Sequence, residues 1–323
     1  MYYTEIAELI NENIKKLNFD LLSPQNLYAP IKYSLEGGGK RVRPVLCLMA
    51  NQMFDGNIED IIEPALGIEI FHNFTLLHDD IMDNSDLRHG KPAVHKQWNN
   101  NIAILSGDAM SIMAYQFIAK AKNNAVEILK TFSETALQIC EGQQYDMDFE
   151  VTLDVSQDNY LKMITLKTAV LLAASLKIGA LAANADAQNC ENIYNVGINL
   201  GLAFQLQDDL LDSYGDTSKF QKNLGGDIVS NKKTYLLINA LSKSDAETKK
   251  ELLYWLDTKN FDKDTKINAV KNIYDKLNIP YDCLKLINDC CLKAELYLKL
   301  LNVEDAKKRI LKDFIESLKD RKY

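Results

Sequence analysis

The sequence predicts an all-α protein. Apolar residues recur at three- and four-residue steps through long segments, alternating β-branched runs are absent, and only 6 prolines and 14 glycines punctuate 323 residues. Taken in order, MYYTEIAELINENIKKL reads as a helix mixing acids and bases. It lacks the basic-then-apolar layout of a signal peptide and is expected to belong to the mature fold. Glu36-Gly37-Gly38-Gly39, Leu87 to Pro92 and Ser213 to Asp227 carry the clearest loop signals. AVEILKTFSETALQICEGQQYDMDFE keeps the helical period. YLKMITLKTAVLLAASLKIGALAA and NIYNVGINLGLAFQLQDDLLDSY are apolar nearly all round, the pattern of central helices of a bundle. No Ser/Pro-rich linker, low-complexity segment or short-period repeat intervenes, so a single domain over residues 1–323 is the simplest organisation.

Apolar residues make up 47% and charged residues 25%, the balance of a soluble globular protein. No apolar run is expected to reach the roughly 18 residues of a membrane span. The six cysteines, Cys47, Cys140, Cys190, Cys283, Cys290 and Cys291, form no CxxC pair and read as thiols of a reducing cytoplasm. A net charge of −8 argues against general nucleic-acid binding, while a local basic cluster can still hold a small anionic substrate.

Two acidic motifs of the form DDxxD follow apolar helical runs: Asp79-Asp80-Ile81-Met82-Asp83 and Asp208-Asp209-Leu210-Leu211-Asp212. Residues four apart share a helix face, so Asp79 pairs with Asp83 and Asp208 with Asp212. Like charges at that spacing repel, and a divalent cation reverses the sign of the interaction. One copy alone reads equally well as a solvated acidic face. Two copies beside apolar helices favour hard-cation binding, in which Mg²⁺ takes one or two carboxylates together with substrate phosphates. Two such clusters facing each other would hold a diphosphate between them.

Phosphate oxygens also need cations. Gly37-Gly38-Gly39-Lys40-Arg41-Val42-Arg43-Pro44 sets three bases beside a glycine turn, without the spacing of a Walker A loop. Arg88-His89-Gly90-Lys91-Pro92 follows the first acidic motif; Lys167-Thr168, Lys222 and Lys232-Lys233 come later. His72, His78, His89 and His95 surround the first motif, but no HExxH or Cys/His zinc spacing is present.

These motifs, in this order, resemble the trans-isoprenyl diphosphate synthases, which make farnesyl, geranylgeranyl and longer polyprenyl diphosphates. The resemblance runs from GGGKRVRP through LLHDDIMDNSDLRHGKPAVH, GDAM, EGQQYDMDFE and KTAVLL to FQLQDDLLD and GGDIVSNKKTY. It implies an all-α bundle with a deep central cavity, a cytoplasmic homodimer and three Mg²⁺ ions. The reaction it implies joins isopentenyl diphosphate head to tail to an allylic diphosphate. Asp79, Asp83 and Asp208 then match metal ligands, and Asp80, Asp212 and Asp227 match supporting acids. Asp79, Asp80, Asp83, Asp208, Asp209 and Asp212 with Arg88 and Lys167 form the catalytic set. Lys40, Arg43, His72 and His89 match the isopentenyl diphosphate site. Arg88, Lys167, Thr168, Gln205, Lys222 and Lys232 match the allylic diphosphate site. The family usually has two arginines where this chain has Arg88-His89.

By the same resemblance, bulk below the first motif sets product length. Phe74 lies about 7–8 Å before Asp79 along a helix and about 140° round from it; Phe71 lies about 12 Å before it and about 80° round; Thr75 is about 40° round. Phe74 flanking, Phe71 beneath and a small Thr75 imply a product of fifteen or twenty carbons, not forty. Two other readings compete. A class I terpene cyclase shares the fold and one DDxxD but consumes one diphosphate substrate and has no need of GGGKRVRP. A non-catalytic partner subunit would lack the two intact acidic motifs.

Overall fold

A computed structural model describes residues 3–152, 154–215 and 224–319. Contacts divide the chain into two compact units. One comprises residues 1–134, 174–194 and 301–310, the other residues 135–173, 195–300 and 311–323. Each is assembled from three stretches of chain, which is why no linker composition marks a boundary.

The order of elements is α1 (Tyr3–Lys15), α2 (Gln25–Leu35), α3 (Val42–Met53), α4 (Ile62–Met82), β1 (Leu87–Arg88), β2 (Lys91–Pro92), α5 (Val94–Gln97) and α6 (Asn100–Ile118). There follow α7 (Ala125–Val151), α8 (Gln157–Ile164), a π-turn at Thr165–Ala169, α9 (Val170–Ala182) and α10 (Ala187–Tyr214). Then come α11 (Gly226–Val229), α12 (Tyr235–Lys243), α13 (Ala246–Asp257), α14 (Lys263–Lys276), α15 (Ile279–Lys299) and α16 (Asp305–Lys319). The all-α expectation holds; among the described residues the antiparallel β1–β2 hairpin is the only sheet.

Local chemistry sets the helix ends. Asn99, Ser156, Asp245 and Asp262 each accept a hydrogen bond from the backbone N–H three residues on, satisfying a donor that the first turn leaves open. Asn84, Asn124, Asn184 and Asn278 take the left-handed backbone at turns, where asparagine is tolerated.

One expectation needs correction. Residues Gln157–Ala182 are long and apolar enough to meet the criterion for a membrane span, with a mean hydropathy of 1.6 over the most apolar window. Of that window 67% is buried inside the protein, so its apolarity is that of core. The sequence count missed it because Lys167 and Lys177 break the run without lowering its average enough.

Candidate functional site

In the first unit, α4 ends within the first acidic motif, with Asp83 as its C-cap. Asp79 is half-buried and Asp83 exposed, whereas Asp80, about 100° round the helix, is 3% exposed. Asp80 accepts from Arg88 Nε at 3.0 and 3.3 Å, and also from Nη2, so the guanidinium grips the carboxylate. Burial opposes the Arg88 charge, but this bond and the charges of Asp80, Asp79 and Asp83 hold its pKa above the ordinary arginine value. Arg88 stands on β1, and His89 and Gly90 close the hairpin with φ of 52° and 76°. Two consecutive left-handed residues suit the turn that matches strand twist.

The basic loop splits its three cations. Gly38 and Gly39 have φ of 104° and 118°, which side chains resist. Arg41 is buried and spent on the fold. Its guanidinium reaches Asn11 at 2.9 Å, Glu69 at 2.7 Å and the Leu35 carbonyl, tying the loop to α1, α2 and α4. Lys40 is exposed, and its carbonyl accepts from the Tyr3 hydroxyl. Arg43 Nη1 lies 2.9 Å from His72 Nε2. Burial, with the charges of Arg43, Arg88, His89 and Arg41, drives the His72 pKa well below its ordinary value. His72 is therefore neutral and accepts from Arg43. Arg43, His72 and His89 thus share one electrostatic neighbourhood with Arg41 and Arg88. A small cleft opens at His89, lined also by Tyr33, Asn73, Asp80, Arg88 and Lys91.

In the second unit, α10 carries the second motif. Asp208 is exposed; Asp212 is half-buried and accepts from the Asp227 N–H at 2.9 Å, holding the start of α11. Asp209 is buried and takes donors from three sides: the Tyr160 hydroxyl, Gln205 Nε2 at 3.1 Å and the Tyr235 N–H at 3.5 Å. Burial pushes its carboxyl up to about 6, against these bonds and the Lys232 charge. Lys167 and Thr168 sit on the π-turn, closed by the Val170 N–H bonding the Thr165 carbonyl. Such turns recur at functional sites. Glycines let neighbouring helices approach it: a Cβ on Gly142 would stand 2.3 Å from the Lys167 nitrogen, and one on Gly201 2.3 Å from Ala169 Cα. Lys167 pairs with Asp146 at 2.6 Å, and Thr168 donates to Gln205 Oε1 at 3.0 Å. Lys232 is exposed and acts on Asp209 through its charge. Lys222 lies outside the described residues.

In each motif the outer acids, Asp79 and Asp83 in one and Asp208 and Asp212 in the other, are exposed or half-buried carboxylates, the oxygen donors that suit a hard cation. Among the described residues no three metal-ligating side chains form a ready cluster. Mg²⁺ keeps water and substrate phosphate in its shell, so the outer carboxylates of either motif suit it and do not suit a caged ion such as structural zinc.

The profile of the Polyprenyl synthetase family matches residues 24–275, across both acidic motifs and the basic loop. The chain belongs to the polyprenyl synthetase family. The short chain isoprenyl diphosphate synthase of Methanocaldococcus jannaschii is 39% identical over 262 residues, 80% of this chain and 79% of that protein. The geranylfarnesyl diphosphate synthase of Natronomonas pharaonis is 36% identical over 73% of this chain and 74% of its own. A crystal structure of a geranylgeranyl pyrophosphate synthase superposes with a TM-score of 0.94 at 42% identity, covering 100% of both chains.

The residues matched to product length in this family member lie in an aromatic stack of the first unit. Phe71 is buried, with Phe74 at 5.2 Å and Phe132 at 5.1 Å between ring centroids. Phe132 meets Tyr115 at 5.0 Å, and Phe74 meets His78 at 4.8 Å. Phe74 is half-buried, and Thr75 is half-buried with its hydroxyl turned back to the His72 carbonyl at 2.8 Å. The resemblance points to Phe71 and Phe74 on α4 but not to Phe132 and Tyr115, which come from α7 and α6. It also missed Tyr160, Asp146 and Glu69. Asp146 had a signal, since it stands in EGQQYDMDFE; Tyr160 had none, because its partner is 49 residues away.

Proposed function

We propose that this chain is a prenyltransferase that condenses isopentenyl diphosphate with an allylic diphosphate, 1′–4 and head to tail. The product is a short all-trans prenyl diphosphate, and inorganic diphosphate is released. The observation that carries the reading is the sorting of both DDxxD motifs into exposed or half-buried outer acids and fully buried inner ones, with a basic neighbourhood at Arg43, His72 and His89. A cyclase has no use for the second anion site. The relatives' names point to a short product, and the Phe71–Phe74–Phe132 stack supports fifteen or twenty carbons. The name geranylfarnesyl in one relative makes twenty-five the alternative length.

Three Mg²⁺ ions, held through Asp79, Asp83 and Asp208, would neutralise charge growing on the leaving diphosphate. Asp212 and Asp227 support the second motif. Lys167, Lys232 and Arg88 add positive charge at the allylic diphosphate, while Arg43, Lys40 and His89 hold isopentenyl diphosphate. Neutral His72 orients Arg43 by accepting its hydrogen bond. The apolar wall of α4 excludes water that would quench the allylic cation. A homodimer in the cytoplasm completes the proposal. Exposed Leu105 and Ile112 on α6 support a self-association face.

Incubation of the purified chain with Mg²⁺, isopentenyl diphosphate and each allylic diphosphate tests it. The expected result is an extended linear diphosphate, with no turnover when isopentenyl diphosphate is omitted. Turnover of the allylic substrate alone to a hydrocarbon would favour a cyclase.

A further inference from the structure

The turn between α11 and α12 is held from behind by a buried cation. Lys266, on α14, is fully buried. Its ammonium donates to the Asn231 side-chain oxygen at 2.5 Å and to the Val229 carbonyl at 3.4 Å, and lies 4.3 Å from the centre of the Phe261 ring. Val229 ends α11, Asn231 stands in the turn, and Lys232 follows it directly.

These bonds settle which way the Asn231 amide points. An ammonium can only donate, so the amide oxygen faces Lys266 and the NH₂ is left for another acceptor. That NH₂ donates at 2.9 Å to the carbonyl of Leu256, near the end of α13. Asn231 has a φ of 59°, so a left-handed residue is bridged to α13 and α14 at once. Beyond it, the Lys232 N–H returns to the Asp227 carbonyl at 2.9 Å. The front of α11 is held separately. Asp212 accepts from the Asp227 N–H, and Ile267, next to Lys266 on α14, packs so closely that a Cβ on Gly225 would stand 2.7 Å from its Cδ1. Adjacent residues of α14 thus close on both ends of a four-residue helix.

Such an anchor is costly. Among the described residues both hydrogen-bond partners of the ammonium are neutral oxygens, and burial lowers its pKa. A methionine of similar length would fill the space with no charge to desolvate. It could not supply the two bonds that fix the backbone from which Lys232 departs. Lys232 is exposed, so that point of departure governs what its ammonium reaches. We propose that Lys266 is a positioning residue of the allylic diphosphate site, fixing the α11–α12 turn so that Lys232 is presented to the diphosphate. This rests on the function proposed above. The plainer alternative is a core lysine that serves packing alone.

Two variants remove the bridge from opposite sides. Lys266→Met takes away the ammonium, and Asn231→Gly takes away the amide while accepting the left-handed backbone. Each should weaken Mg²⁺-dependent binding of an allylic diphosphate, measured without isopentenyl diphosphate, about fivefold, because a less preorganised Lys232 must be ordered on binding. Affinity for isopentenyl diphosphate should stay within about twofold. In a Lys232→Ala background neither variant should cause a further loss, since both act through Lys232. A packing role would repeat the loss in that background or weaken both substrates alike. Either result would overturn the proposal, as would unchanged allylic affinity in a folded variant; if Lys266→Met does not fold, Asn231→Gly carries the test. Amide hydrogen exchange over residues 226–234 of the metal-free protein decides the anchor apart from activity. Exchange at least about tenfold faster in the variants supports it. Wild-type exchange there overturns it, even if the wild type binds no allylic diphosphate and the functional reading itself fails.

Discussion

In the first acidic motif the middle aspartate, Asp80, is buried against the guanidinium of Arg88; in the second, Asp209 is buried among a phenol, a side-chain amide and a backbone N–H. The five-letter pattern is the same and the outer acids face outward in both. The difference lies in how each buried charge is met. Asp80 has a full counter-charge in fork geometry, which fixes the hairpin that carries Arg88 and His89 beside the motif. Asp209 has only neutral hydrogen-bonding partners, so burial lifts its carboxyl to about 6. One motif is tied to a basic hairpin, the other to a polar chain that ends at Thr168. A repeated motif in sequence is therefore not a repeated site.

The largest effects should come from what the motifs share. Asp79→Ala and Asp208→Ala are each expected to cut turnover by several orders of magnitude with the fold retained, because each removes a proposed metal ligand and relieves like-charge repulsion. Steady-state assays at saturating Mg²⁺ check this; near-normal turnover in either variant would break the symmetry of the outer acids.

The buried acid of the second motif should show itself on titration. Below 3.8 Asp209 is protonated whether folded or unfolded, and above about 6 it is ionised in both states. Between those values the unfolded chain has lost the proton that the folded chain keeps. Stability contributed by Asp209 must therefore fall as pH rises through this window, by on the order of 3 kcal/mol. Urea unfolding of the metal-free wild type and Asp209→Asn should show the variant gaining on the wild type from pH 4 to 7. A constant difference would mean that burial among neutral partners does not raise the Asp209 carboxyl.

A further contrast is that α4, which bears the first motif, also bears the aromatic stack. Phe74→Ala should lengthen the product by at least one isoprene unit, and Phe71→Ala added to it should lengthen it further, read by chromatography of the dephosphorylated products. Truncating a buried phenylalanine costs about 3–5 kcal/mol, so the variants are first compared by circular dichroism. Wild-type length in folded, active single and double variants would place the limit elsewhere.

The smallest effect concerns His89, at the hairpin's left-handed turn. A bound anion favours the imidazolium, so affinity for isopentenyl diphosphate should weaken as pH rises from about 6 to 8. His89→Arg should flatten that profile of the Michaelis constant, and an unchanged profile would make His89 a solvent-facing loop residue.

Much of this was legible in the sequence where information is local. The helical period, the loop at Gly37 to Gly39 and the outer acids four apart all follow from spacing. What spacing could not give is partnership across the chain. Arg41 looks like Lys40 and Arg43 in GGGKRVRP, and only Glu69, 28 residues on, makes it a buried tether. The π-turn that presents Lys167 and Thr168 depends on Gly142 and Gly201 from other helices. The two units were hidden because each is built from separated stretches.

The most direct test of the sorting of acids is the Mg²⁺ concentration giving half-maximal binding of an allylic diphosphate, measured for Asn variants of all four positions. The account predicts that Asp79→Asn and Asp208→Asn raise it at least about tenfold, while Asp80→Asn and Asp209→Asn leave it near the wild-type value. A rise for the buried acids with none for the outer pair would contradict the account at its centre.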